Sequence, residues 1–296
     1  MAADLQLSGV YVPLVTPFGE DGAVDVAALE RLADAVLAAG AAGLVALATT
    51  GEASSLDDGE RAAVIAACSR VCVDRGAELV VGAGTNDTRA TVARHEALAD
   101  VPGVTASLAV VPYYVRPSEA AIVAHFRHVA DRSPVPVVAY NIPYRTGRGL
   151  GAPSLLELAA TDNVAGVKQA VDGIDADTLT VLAQAPPGFA VLGGDDPYLF
   201  PMTLMGAPGA IAASANLCTA RFVAMVADGL AGAVEPGRAH AEALLPLVRA
   251  LFAEPSPAVI KALLHADGMI ATPDVRMPLS NASAAAVSNA LAARPG

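Results

Sequence analysis

The stretch Val164-Ala-Gly-Val-Lys-Gln-Ala-Val-Asp-Gly173, VAGVKQAVDG, opens as a buried strand and ends on a charge. Val, Ala, Gly and Val suit a strand covered on both faces. Lys168 then follows, and an ammonium at the end of an apolar strand is costly unless it is paired, solvated or neutral. The same pattern recurs along the chain. GVYVPLVTPF (9–18), GLVALATTGE (43–52), LVVGAGTND (79–87), VTASLAVVPYY (104–114), VPVVAYNIP (135–143), FAVLGGDD (189–196) and GAIAASAN (209–216) are all apolar runs that lead into a turn or polar loop.

Helices are expected between these runs. Asp25 caps a segment in which Leu29, Leu32, Val36 and Leu37 share one face, and Gly40 closes it. Asp57 and Glu60 have capping-box spacing ahead of Val64, Cys68, Val71 and Cys72. Ser118 caps a helix that buries Ile122, Phe126 and Val129, and Pro153 suits the first turn of another. About eight strand–helix units without an internal linker predict a (β/α)8 TIM barrel. A doubly wound open sheet is the competing architecture, but no G-x-G-x-x-G follows the first strand. From about Glu235 the alternation gives way to helical patterns alone. The expected organisation is therefore a barrel over residues 1–234 and a C-terminal helical region over 235–296.

Composition excludes several classes. Net charge is −12, so the basic face that nucleic-acid binding needs is absent and no nucleic-acid partner is expected. Hydrophobic residues make up 54% of the chain. Even so, the longest apolar stretch, Ala35 to Gly51, is interrupted by Gly40 and Gly43 and falls short of the roughly 18–20 residues a membrane span requires. No basic, then apolar, leader opens the sequence, and three cysteines make no disulfide framework, so a cytoplasmic location is expected. Cys68 and Cys72 read as core thiols. His125 and His128 share a helix face and read as surface residues rather than metal ligands, because no third ligand is apparent. Neither a metal nor an organic cofactor is expected.

Of eighteen basic residues only Lys168 and Lys261 are lysine. Arginine stays protonated, whereas a lysine whose pKa is lowered becomes a nucleophile. The alternative for Lys168 is a structural ion pair. In a barrel the reactive groups stand at the C-terminal ends of the strands. Those ends offer Thr49 and Thr50, Tyr113 and Tyr114, Tyr140, Arg145, Lys168, and Asp195 with Asp196. A neutral amine attacks a ketone to give an imine, and phenols and a hydroxyl can carry the protons this needs. Amides near Thr49 and Thr50 suit one carboxylate, and the fork of Arg145 suits another. One carboxylate of the Asp195-Asp196 pair is explained by helix capping before Pro197. Lys261, in the helical tail, reads as structural.

ATTGE (48–52), PYYVRPS (112–118), YNIPYRTG (140–147) and GVKQAVDG (166–173), in this order, resemble the dihydrodipicolinate synthase / N-acetylneuraminate lyase family. VTPF (15–18), GGDD (193–196) and the closing PSPAVIKALL and RMPL segments match as well. The resemblance implies Schiff-base chemistry on pyruvate without a cofactor, with Lys168 as the imine-forming lysine. It implies Tyr140 as proton shuttle, a Tyr140–Thr50–Tyr114 relay in which Tyr114 serves a neighbouring subunit, and hence a homo-oligomer, tetramer or dimer. It also implies Thr49 and Thr50 at the pyruvate carboxylate, Arg145 at the carboxylate of a small aldehyde, and Gly194 and Ile211 lining the site.

The activity so implied is condensation of pyruvate with L-aspartate 4-semialdehyde in lysine biosynthesis. The alternatives are a sugar-acid aldolase or a dehydratase on the same imine, or a non-catalytic barrel. Gln169 and Tyr144 depart from the commonest synthase pattern, and both are expected to bear on the second substrate. Asp58, Arg61 and Ala90 replace the His, His and Glu of a lysine-regulatory site, although Asn86 and Tyr113 are retained, so tight lysine inhibition is not expected.

Overall fold

The computed structural model describes residues 5–295. Eight parallel strands close into a barrel in sequence order, β1 pairing with both β2 and β8. They are β1 Gly9–Pro13, β2 Gly43–Ala46, β3 Glu78–Gly82, β4 Val104–Val110, β5 Val137–Asn141, β6 Val164–Gln169, β7 Ala190–Gly193 and β8 Gly209–Ile211. The helices between them are α1 Val26–Ala38, α2 Asp58–Arg75, α3 Thr88–Glu96, α4 Glu119–Ala130, α5 Pro143–Thr146, α6 Ala152–Ala159, α7 Ala176–Gln184, α8 Leu199–Leu204 and α9 Thr219–Leu230. Three more follow the barrel: α10 Val234–Leu251, α11 Ala258–Ala266 and α12 Ala284–Ala292.

The continuous apolar runs have the reason expected of them, because each strand is covered on both faces. Side chains such as Val45, Val80, Val138 and Leu192 fill the interior. The alternate side chains meet the helices in two outer clusters. Asp25, Asp57 and Ser118 cap α1, α2 and α4 as the sequence predicts, and Glu60 completes the capping box of α2. Leu244, Leu247, Val259 and Leu263 of α10 and α11 belong to the same core as the barrel strands β1 to β3. The C-terminal helices are thus packed onto the barrel rather than hung from it.

One expectation about the helices needs correcting. His125 is buried on α4 while His128 is exposed, so the two do not share a surface. The Thr88 hydroxyl lies 2.9 Å from His125 Nδ1. Burial, with the nearby His95 and His128, pushes the His125 pKa down to about 4. The 3.6-residue period places 125 beside Phe126 and Val129, and that face is the buried one.

Candidate active site

Barrel closure puts the ends of β5 and β6 side by side. Tyr140 pairs in register with Lys168, so both side chains point into the barrel mouth. The Lys168 Nζ lies 4.4 Å from the centre of the Tyr140 ring. Lys168 is 5% exposed. Burial pushes its pKa down to about 8, against the pull of Asp196 and Asp195 in the other direction. Burial likewise raises Tyr140, which keeps its phenolic proton at any ordinary pH. Gly194 passes close beside this pair: a Cβ there would stand 2.9 Å from Gln169 O and 3.0 Å from Lys168 Cγ. Only glycine lets β7 approach the lysine this closely.

A cavity of about 430 Å3 opens over Lys168, lined by Thr49, Thr50, Tyr140, Arg145, Gly194 and Asp195 among others. A second, of about 480 Å3, adjoins it across Thr49, Tyr140, Ile142 and Arg145. A further cavity of about 540 Å3 lies between α2 and α3, away from Lys168 and Tyr140. Thr49 and Thr50 open a short 3-10 turn at the end of β2, and among the described residues their amides donate to no backbone carbonyl. Two free amides at such a turn are suited to an anion. Arg145 has no carboxylate within ion-pair distance among the described residues, and its guanidinium lies 4.9 Å from the Tyr144 ring centre. The Tyr144 ring thus packs against the arginine, a physical use for the aromatic residue that departs from the commonest pattern there.

Not every predicted residue joins the group. Ile211 is buried in the interior layer with Tyr140 and Leu192 and is not among the cavity-lining residues. Tyr114 is 87% exposed, has φ of +71°, and is not among the residues lining either cavity. Its neighbour Tyr113 lines the adjoining cavity instead. Thr50 makes no hydrogen bond to Tyr140 among the described residues. Arg61 donates to Ala53 O and shares a cavity wall with Arg94. Two guanidiniums there repel an ammonium.

One expectation is corrected. Asp195 and Asp196 do not cap the turn before Pro197; neither side chain makes a capping bond. Asp195 Oδ2 accepts from Asp172 N at 2.7 Å, and Asp196 Oδ2 accepts from Ser214 N at 2.6 Å. Together they join the loops after β6, β7 and β8. Gln169 is not among the cavity-lining residues, so its bearing on a second substrate runs through the segment that carries Arg145. Lys168 faces inward, so its neighbour must face outward, and there Gln169 Oε1 accepts from Asn141 Nδ2 at 3.0 Å while Nε2 donates to Thr178 Oγ1. Asn141 also clamps Leu150, donating to its carbonyl at 3.1 Å and accepting from its amide at 3.0 Å. These bonds close the segment from Ile142 to Leu150, which carries Arg145. The pleat's period of two was the available signal for both outward side chains.

Replacing Gln169 by Ala removes two buried hydrogen bonds from that closure. An expected stability loss of about 1–3 kcal/mol in denaturant titration should accompany faster hydrogen exchange at the Leu150 amide. Unchanged protection of Leu150 would show that the pair does not hold the segment.

With this geometry in view, the chain compares closely with known proteins. Residues 6–293 match the model of the dihydrodipicolinate synthetase family. A 4-hydroxy-tetrahydrodipicolinate synthase of Salinibacter ruber is 38% identical over 281 residues, covering 95% of this chain and 92% of the relative. The enzyme of the same name from Moorella thermoacetica is 37% identical over 279 residues, covering 94% of each. A crystal structure of chloride-inhibited dihydrodipicolinate synthase from Acinetobacter baumannii, complexed with pyruvate, superposes with a TM-score of 0.92 at 31% identity, covering 97% of this chain and 99% of that one. A match along nearly the whole length, in sequence and in fold, means that this chain belongs to the dihydrodipicolinate synthetase family.

Proposed function

We propose that the chain is a 4-hydroxy-tetrahydrodipicolinate synthase, a lyase that condenses pyruvate with L-aspartate 4-semialdehyde through an imine on Lys168. The observation that carries this reading is a buried amine with a lowered pKa, set against the Tyr140 ring in a cavity that Arg145 also lines. The names of the relatives and the pyruvate complex of the Acinetobacter baumannii enzyme support it.

In this reading the neutral Lys168 Nζ attacks the ketone carbon of pyruvate, and water leaves as the C–N double bond forms. The pyruvate carboxylate is held by the amides of Thr49 and Thr50. Loss of a methyl proton gives the enamine, whose carbon attacks the aldehyde carbon of the second substrate. The amine of that substrate then attacks the imine carbon, closing the ring and releasing Lys168. Tyr140, kept protonated by burial, is the group placed to hand protons to and from these atoms. Arg145 binds the aldehyde's carboxylate through its fork.

Tyr114 and Val115 stand exposed on a loop with left-handed backbone at Tyr114 and Arg116. This suits the reading in which Tyr114 completes a neighbouring subunit's site through Thr50, so the working form is an oligomer. No described helix is long and apolar enough to cross a membrane. All three cysteines are free, which suits the reducing cytoplasm.

Borohydride reduction in the presence of pyruvate should leave a pyruvyl adduct on the Lys168 peptide, and Lys168→Ala should abolish it; an adduct that survives that substitution ends this reading. The rate of imine formation should rise with pH and level off through an apparent pKa of about 8. Below this value the ammonium dominates; about one amine in ten is neutral at pH 7, against fewer than one in a thousand at the ordinary lysine value. A profile still climbing at pH 10 contradicts the buried amine. Arg145→Ala should raise KM for the semialdehyde by about tenfold to a hundredfold, the loss of one forked, charge-assisted pair. Pyruvate trapping should be unaffected. Activity on a sugar acid but none on the semialdehyde would move the chain to another branch of the family.

A further inference from the structure

The second lysine of this arginine-rich chain is buried as deeply as the first. Lys261 on α11 has no exposed surface, and its Nζ lies 2.9 Å from Glu52 Oε1, which is equally buried. Glu52 is the last residue of ATTGE. It closes the Thr49–Gly51 turn by donating its amide to Thr49 O, and it does so with φ of +52°. A left-handed backbone at glutamate persists only where the surroundings enforce it.

Those surroundings come from the C-terminal region. Glu52 Oε2 accepts from the amide of Arg276 at 2.8 Å. The Arg276 guanidinium donates to Ser55 O, to Gly22 O and to both carboxylate oxygens of Glu60. The ring of Phe18 lies beneath both cations, 3.9 Å from Lys261 Nζ and 4.4 Å from Arg276 Cζ. From the other side Thr16 Oγ1 donates to Gly51 O at 2.7 Å.

A fully buried ion pair is a poor way to gain stability, because apolar side chains would fill the same volume without stripping two charges of water. What such a pair supplies is a fixed geometry. We infer that Glu52 and Lys261 are positioning residues for the carboxylate-binding turn: the C-terminal helices hold the amides of Thr49 and Thr50 in place from behind. This rests on the pyruvate reading above. It also accounts for the use of lysine at 261. The site holds a compact ammonium, wholly buried, packed on a phenyl ring and directed at one carboxylate oxygen.

The test compares wild type with Glu52→Gln, which keeps the shape but loses the charge, and with Glu52→Gln/Lys261→Met, which removes both charges. Two quantities are read: the pyruvate concentration that half-saturates borohydride trapping on Lys168, and KM for the semialdehyde. Both variants should need at least about tenfold more pyruvate, since small displacements of a binding group are costly. KM for the semialdehyde, set by Arg145 across the mouth, should stay within about twofold, the level of change at a distant, uncoupled site. A folded double variant with wild-type half-saturation overturns the inference, as does a fall in kcat with pyruvate half-saturation unchanged. Should the double variant not fold, Glu52→Gln decides by the same criterion at a temperature where its circular dichroism matches wild type. No adduct on wild-type Lys168 ends the pyruvate reading and this one with it; a wild-type adduct with unmoved variants ends this one alone.

Discussion

Desolvation of one amine organises this molecule. An ammonium is poorly tolerated away from water, and Lys168 is almost wholly removed from it. The lysine lowers that cost by giving up its proton more readily, and the species so favoured is the nucleophile. The same burial keeps the Tyr140 phenol protonated. Both effects require the barrel to be closed and well filled beneath them, by Val138, Leu192, Ile211 and the rest of the interior layer.

Polar side chains that bond to loop backbone and to one another hold the walls of the cavity. Asp195 and Asp196 join three loops through backbone amides. Asn141 and Gln169, on the outer face of β5 and β6, close the segment that bears Arg145. Glu52, Lys261 and Arg276 brace the turn of Thr49 and Thr50. Strand parity sorts these roles. Inward positions at the strand ends face the reaction, and the next residue along faces the helices, where it is free to bond to loops.

The architecture is legible in the sequence because its signals are local. Eight apolar runs, each followed by a capped amphipathic segment, leave little besides a parallel barrel, and the caps at Asp25, Asp57 and Ser118 stand where their spacing put them. Lys168 and Tyr140 stand out because each lies at the end of an apolar strand, and Arg145 because it follows in the next segment; all three carry chemistry that the runs before them do not need. Misreadings arose where a residue's role depends on a partner distant in sequence. Asp195 looked like a cap because Pro197 is two residues away, while its real partner, Asp172, is in the preceding loop. Gln169 stands out in the sequence as a departure from the commonest synthase pattern, but its place on the outer face, bonded to Asn141 and Thr178, follows only from the pairing of β5 and β6.

By itself the sequence determined the eightfold alternation, the capped helices and the single reactive lysine at a strand end, because hydrophobic period and capping act over a few residues. Only the tertiary structure decided that Tyr140 stands beside Lys168, that the amine is dry enough to lose its proton, and that Lys261 reaches Glu52 across 209 positions. Burial and long-range pairing are properties of the closed barrel. A hydrogen bond between residues so far apart is set by how the layers pack, which no local pattern encodes.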